Sequence, residues 1–419
     1  MISVMQDDRA AQAADGVESR YAWWRLAANL GLGTIGGVGL WSLVVALPAV
    51  QAEFGVARAD AALPYTMTMI GFMLGGVLMG RLADRHGVMV PAVIGAVALG
   101  IGYVAASFAE SLWVFTLAYA LPIGMLGSSA VFAPLVADTS HWFTRRRGIA
   151  VALASSGSYF AGAFWPPVLH ALIDAFGWRQ AHFGVGVFCI LAMLPLTLVL
   201  RRRPPMHAAP QPVAGMAPRP AWPERPFGLS PNALQGLLMF AGISCCVAMA
   251  MPQVHIVAYC VDLGYGAARG AEMLSLMLAT GVISRLASGL VMDRVGGVPT
   301  LLLFATLQAV ALALFLPFDG LVSLYVVSAV FGLFQGGLVP SYAIIVRECF
   351  PPQQAGTRVG LVLSSTLAGM ALGGWMSGAI FDATGSYRMA LVNGIGWNVL
   401  TMLIALWMLQ RRIRRPAFA

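Results

Sequence analysis

Long apolar runs separated by short charged turns dominate this chain. Twelve such runs follow one another at approximately 26–50, 62–83, 88–108, 112–138, 147–172, 180–200, 232–260, 268–292, 298–317, 320–346, 356–381 and 388–410. Each is near the roughly 20 residues a helix needs to cross a hydrocarbon core, which predicts an all-α membrane protein with 12 transmembrane helices. A polar leader, 1–25, precedes the first run, and a short tail, 411–419, follows the last. The longest connection, 201–231, is RRRPPMHAAPQPVAGMAPRPAWPERPFGLSP, a proline- and arginine-rich stretch expected to act as a flexible linker. It divides the chain into bundles of six helices at 26–200 and 232–410.

Composition agrees with this pattern. Hydrophobic residues make up 59% of the chain and charged residues 10%, with a mean hydropathy of +0.79, whereas a soluble domain carries about 25% charge. All 25 basic residues are arginine. Twenty lie on the side of the N-terminus; four (Arg58, Arg179, Arg269 and Arg388) lie on the other. The positive-inside rule then puts both termini and the linker in the cytoplasm. This asymmetry accounts for the net charge of +8, so no nucleic-acid partner is implied. The leader has no apolar core of the signal-peptide kind. Five cysteines show no metal spacing, and no metal or cofactor is expected. The chain carries no nucleophile–base motif and no phosphate loop, so an enzyme is not the expected reading.

One arginine belongs to neither side. In GVISRLASGLVMDRVG (281–296), Arg285 precedes the charged pair Asp293–Arg294 by eight residues, about 12 Å along a helix. A cation at that depth costs roughly 2.5–3.5 kcal/mol or more and needs a partner, a wet cavity or a ligand. A guanidinium stays charged when partly desolvated and offers two parallel donors to a carboxylate. The position one turn earlier is Gly281, so its own helix supplies no acid there.

The two halves repeat each other. GRLADRHG (80–87) and GLVMDRVG (289–296) share G-x-x-x-D-R-x-G and close the second helix of each half; FGWRQA (176–181) and GSYRMA (385–390) lie between the fifth and sixth. Six plus six helices around a long loop resemble the major facilitator superfamily, which implies two bundles related by a pseudo-twofold axis and alternating access between them. In that superfamily the paired motif helps to hold the inward gate shut, which implies a conformational role for Gly80, Asp84, Arg85, Gly87, Gly289, Asp293, Arg294 and Gly296. The glycines are expected to let helices approach closely, and the aspartates to face the positive end of a neighbouring helix.

A narrower resemblance follows from APLVADTSHWFTRRRGIAVALASSG (133–157), FGWR (176–179), YAWWR (21–25) and S-R-x-x-x-G (284–289). In this order they resemble the monocarboxylate transporter family, bacterial type, which is related to the oxalate–formate exchangers. The resemblance implies that Arg285 binds the carboxylate of a lactate-like substrate. Departures exist: mammalian members carry an acid where Gly281 stands and a lysine in helix 1, and this chain has no lysine. The exchangers have a lysine in helix 11, yet 360–380 is uncharged. One cavity cation matches a monoanion better than a dianion.

Further candidates come from residue type and position. His255 in helix 7 and His170 in helix 5 are candidates for proton coupling, because histidine titrates in the useful range. Asp138, Arg146 and Glu348 lie near the cytoplasmic ends of their helices and are expected to form gate ion pairs. Tyr342, read beside a break at Pro340, is expected to share a carboxylate with Arg285; Phe132 and Trp165 are expected in the cavity wall.

The expected function is secondary active transport of small monocarboxylates, lactate- or pyruvate-like, by proton-coupled symport. The alternative is an efflux carrier for a drug-like compound or another anionic metabolite. Expected partners are a small organic acid, a proton and the lipid bilayer; the expected unit is a monomer in a bacterial inner membrane.

Overall fold

The computed structural model describes residues 17–143, 146–202 and 226–413. Among them, every regular element is helical. Helix α1 runs in two pieces, Arg20–Gly36 and Val38–Phe54, and is followed by α2 (Arg58–His86) and α3 (Met89–Ser107). Helix α4 comprises Leu112–Ala118, a π-helical segment Tyr119–Ser128 and a final piece Ala133–Trp142. Helix α5 starts as Arg147–Ser155 and resumes at Gly157, in a stretch that continues to Leu198. The second half holds α7 (Pro231–Asp262), α8 (Ala267–Val295), α9 (Gly297–Leu314), α10 (Leu321–Gln335 and Leu338–Cys349), α11 (Pro352–Thr384) and α12 (Tyr387–Ile413).

Eleven helical stretches have the length and hydropathy of a membrane span. One of them, Ile149–Leu198, has 50 residues, which would reach about 75 Å if straight. It turns at Gly177, whose φ of 79° and ψ of 157° are not helical. Glycine tolerates that positive φ without steric cost. The stretch is therefore two crossings, α5 before Gly177 and α6 after it, which makes twelve among the described residues.

Local sequence explains where the helices begin. Ser19, Ser111 and Ser230 accept from the third residue beyond, at Ala22, Val114 and Ala233, which satisfies amides that have no partner inside the helix. Pro231 and Pro352 occupy first-turn positions that need no N–H. Helix α1 starts at Arg20, six residues before the hydropathy boundary, so YAWWR lies within its first two turns.

The shared motif behaves differently from expectation. A β-carbon at Gly80 or Gly289 would meet nothing within 4 Å, so neither glycine serves close packing here. Gly87 and Gly296, with φ of 85° and 84°, instead end their helices. The close approaches lie elsewhere. A β-carbon at Gly71 or Gly75 of α2 would overlap the carbonyls of Ala120 and Met125 in α4, and one at Gly332 of α10 would overlap the Met277 carbonyl of α8. Equivalent helix pairs in the two halves are thus pinned by glycine.

The halves meet along α2–α11, α1–α7 and α5–α8. We call the end holding Val17 and Ile413 the near end and the opposite one the far end. At the far end the halves are locked: Arg58 of α2 pairs with Asp262 of α7 at 3.1 Å, and Thr66 of α2 donates to the Ala371 carbonyl of α11. No ion pair between the halves occurs at the near end among the described residues.

Candidate functional site

Arg285 leaves α8 towards α5 of the other half. Its Nη1 donates to the Ser155 carbonyl at 3.2 Å, and its guanidinium carbon lies 4.4 Å from the ring centre of Tyr159. Both contacts come from the interruption of α5 at Ser156, where Tyr159 N–H donates to the Ser156 carbonyl three residues back. Ser155 then offers its carbonyl to the arginine. The Nε–H of Arg285 is buried without an acceptor. Arg285 takes part in none of the four ion pairs among the described residues. Gly281 makes room for Tyr159: a β-carbon there would lie 2.6 Å and 2.8 Å from the ring carbons. The result is a partly exposed cation at the joint between halves, held against an aromatic face, with donor capacity in reserve.

The expected wall residues do not gather around it. Tyr342 is fully buried, and its hydroxyl sits beside Cys245 of α7 in its own half. Helix α10 breaks at Gly336–Gly337, not at Pro340, which falls in the first turn of the second piece where its missing N–H costs nothing. The break places Gly336 against Arg285: a β-carbon there would lie 2.8 Å from the Arg285 backbone nitrogen. Trp165 donates from its indole to the Thr34 carbonyl of α1 at 2.9 Å and lines an apolar groove between α5 and α6 with Phe164, Phe176 and Phe188. Those phenylalanines are exposed on the outer surface, so this groove faces away from the joint. Phe132 sits at the break of α4 and packs on Phe72 of α2, ring centres 5.8 Å apart.

The near-end charges also differ from expectation. Asp138 is buried and accepts from Arg25 Nε and Nη2 at 2.7 Å and 2.8 Å. This bidentate pair stays within the first half, joining α4 to α1, and Arg25 also reaches the Arg202 carbonyl at 3.0 Å. Asp138 is therefore a clamp inside one bundle and does not bridge the bundles. Glu348 accepts from Gly297 N–H at 2.9 Å, so it caps the first turn of α9 and lies in no ion pair among the described residues. Arg146 is exposed; its backbone N–H donates to Glu18 Oε1. Asp84, Arg85, Asp293 and Arg294 are exposed and lie in no ion pair among the described residues. Arg145 is outside the described residues.

His255 is fully buried within the far-end cluster. Its Nδ1 lies 3.0 Å from the Tyr387 hydroxyl and its Nε2 lies 2.8 Å from the Gly374 carbonyl. His170 is half-buried in α5 and is absent from the far-end cluster; Glu272 of α8 pairs with Arg269 at 3.0 Å. Sequence reasoning used Arg58 only as a marker of topology and did not single out Asp262, Asp382 or Tyr387. Their signal was present: an arginine opening helix 2 and acids closing helices 7 and 11 all fall on one side. A second network was also missed. Ser42 joins Tyr103 at 2.6 Å and Tyr119 at 3.0 Å, and Tyr119 meets His182 at 2.7 Å.

Twelve crossings in two repeated halves, with a joint between them, match the family described as the Major Facilitator Superfamily over residues 30–326 and 273–418. The chain belongs to that superfamily. It is an integral membrane transporter and not an enzyme. It is 29% identical to monocarboxylate transporter 13 of Bos taurus over 346 residues, 79% of this chain and 75% of the relative. It is 24% identical to the agnestins efflux protein AgnL12 of Paecilomyces divaricatus, over 76% of this chain and 71% of the relative. Among solved structures it is similar to a bacterial homologue of the human lysosomal transporter Spinster, in an inward-facing and occupied conformation. The TM-score is 0.72 at 16% identity, over 96% of this chain and 99% of the other, which is a likeness of fold.

Proposed function

We propose that this transporter carries small monocarboxylates across the membrane with protons, by alternating access, and that Arg285 holds the carboxylate. The observation that carries this reading is the state of Arg285, a cation at the joint of the halves with no acidic partner among the described residues and an unused Nε–H. A monoanion supplies the missing counter-charge, and two parallel guanidinium donors fit its two oxygens. Similarity to a monocarboxylate transporter supports the substrate class. The arginine asymmetry supports a cytoplasmic near end, and on that reading the locked far end faces outside. Uptake of radiolabelled lactate or pyruvate into acid-outside proteoliposomes tests the reading. Saturable uptake that Arg285→Ala abolishes is the expected result; none in the wild type would sink it.

A second reading, efflux of an anionic metabolite, is favoured by the resemblance to a fungal efflux protein. It keeps the same arginine and reverses the direction. Export from substrate-loaded vesicles, with no uptake of short acids, would select it.

A further inference from the structure

Three helices, α7, α11 and α12, converge at the far end on the first turn of α2. Asp382 of α11 accepts from the backbone N–H groups of Arg58 and Ala59 at 2.8 Å and 2.7 Å, capping a helix of the opposite half. Helix α11 passes so closely that a β-carbon at Gly378 would lie 2.9 Å from Ala59 Cα. The Arg58 guanidinium donates to both Asp262 oxygens, at 3.2 Å and 3.1 Å, and to the Tyr387 hydroxyl at 2.9 Å.

The direction of each bond fixes the protons. The Gly374 carbonyl can only accept, so His255 Nε2 carries a hydrogen. Arg58 can only donate, so the Tyr387 oxygen accepts from it. The Tyr387 hydrogen then goes to His255 Nδ1, which must be a bare lone pair. The cluster closes as one chain, Arg58 to Tyr387 to His255 to Gly374, and only with a neutral imidazole.

We propose that this cluster is a latch that reads protonation in the empty carrier: with no cargo bound, the far end locks when His255 is neutral and is held open when His255 binds a proton. A second proton would turn Nδ1 into a donor facing a hydroxyl that already accepts from Arg58, and the Tyr387 hydrogen would lose its acceptor. Other charged and titratable groups nearby do not undo this. Asp382 is committed to two backbone amides and Asp262 to the Arg58 guanidinium, so neither carboxylate touches the imidazole. Tyr65 of α2 lies beside Gly374, and Tyr259 of α7 packs edge-on against Tyr387; neither is among the hydrogen-bond partners of His255.

The consequence deepens the transport reading and rests on it in two respects, the use of protons and the far end facing outside. A carrier that holds a proton and no cargo cannot relock the outside, so it cannot turn inward and leak the proton. An empty, neutral carrier relocks freely. Those are two of the rules a symporter must obey, and the latch enforces both. His255 thus acts as a positioning residue for Tyr387 and Arg58.

The test measures the far end with no substrate present. Spin labels at E110C and V322C, exposed positions on opposite halves, report its opening in lipid nanodiscs by pulsed distance measurement; the five native cysteines are buried. At about pH 8 the wild type should show the short distance, and at about pH 5 a longer component should grow, on either side of the histidine range. His255→Gln, whose amide can donate to Gly374 and accept from Tyr387, should stay short at both. Tyr387→Phe, which breaks the chain, should show the longer component at both. A wild-type distribution unchanged by pH, a His255→Gln variant that follows the wild type, or a Tyr387→Phe variant locked throughout would overturn the latch. Cargo binding at Arg285 plays no part in this measurement, so failure of the carboxylate reading appears separately, as normal uptake by Arg285→Ala.

Discussion

Gly281→Ala tests the arginine site with a single methyl group. The added carbon would stand 2.6 Å from Tyr159 Cε1 and 2.8 Å from Cδ1, where ordinary contact is 3.4–4 Å. Tyr159 belongs to α5 and Gly281 to α8, so the strain falls on the joint between halves and on the ring that carries the guanidinium at 4.4 Å. Overpacking of this kind costs about 1–3 kcal/mol. Losing the cation–ring contact costs about 0.5–2 kcal/mol, equivalent to about a two- to thirtyfold weaker hold on any ligand that needs the arginine in place. Calorimetric titration of the purified carrier with lactate measures that loss directly. Tyr159→Phe keeps the ring face and should bind close to wild type, whereas Tyr159→Leu should fall with Gly281→Ala. If Gly281→Ala binds lactate as tightly as the wild type, Tyr159 does not position Arg285 and the account of this pocket fails.

Other consequences follow from the packing. Asp138→Asn leaves the buried Arg25 without its counter-ion and should cost about 3–5 kcal/mol, visible as a lower melting temperature; the apolar pair Arg25→Met with Asp138→Leu should recover most of it, and no loss in Asp138→Asn would contradict the clamp. Gly336→Ala would press on Ser284 at 2.7 Å and should lower the melting temperature, while Gly289→Ala, with open space around it, should melt at or above wild type. Equal damage from both would restore the packing role expected of the motif glycine.

The sequence was most legible where one pattern repeated. Hydropathy located all twelve crossings, because a membrane imposes one length and one polarity on every span. The paired G-x-x-x-D-R-x-G and the FGWR and GSYR turns identified two equivalent halves. Arg285 stood out because a charge inside an apolar run has few physical excuses. What surrounds it was illegible. Ser155 and Tyr159 meet Arg285 through a break in α5 written only as serine and glycine, and Tyr342 turns into its own bundle because the break in α10 lies at Gly336–Gly337. Partners of charges were equally hard to assign: Asp138 could be seen as paired, but that Arg25 and not a nearby arginine answers it depends on how α1 and α4 cross. Arg58 was legible only as a topology marker and Asp262 and Asp382 drew no notice, because only the meeting of α2 with α7 and α11 makes them one cluster.

The central claim is that Arg285 takes a carboxylate, and direct binding of lactate to purified carrier tests it most plainly. Wild type should bind. Arg285→Lys, which keeps the charge and loses the fork, should bind about ten- to a hundredfold more weakly, the cost of roughly 1.5–3 kcal/mol for a charged hydrogen bond. Arg285→Ala, shown to be folded by its melting curve, should bind no lactate at all; binding equal to wild type in that variant would contradict the account.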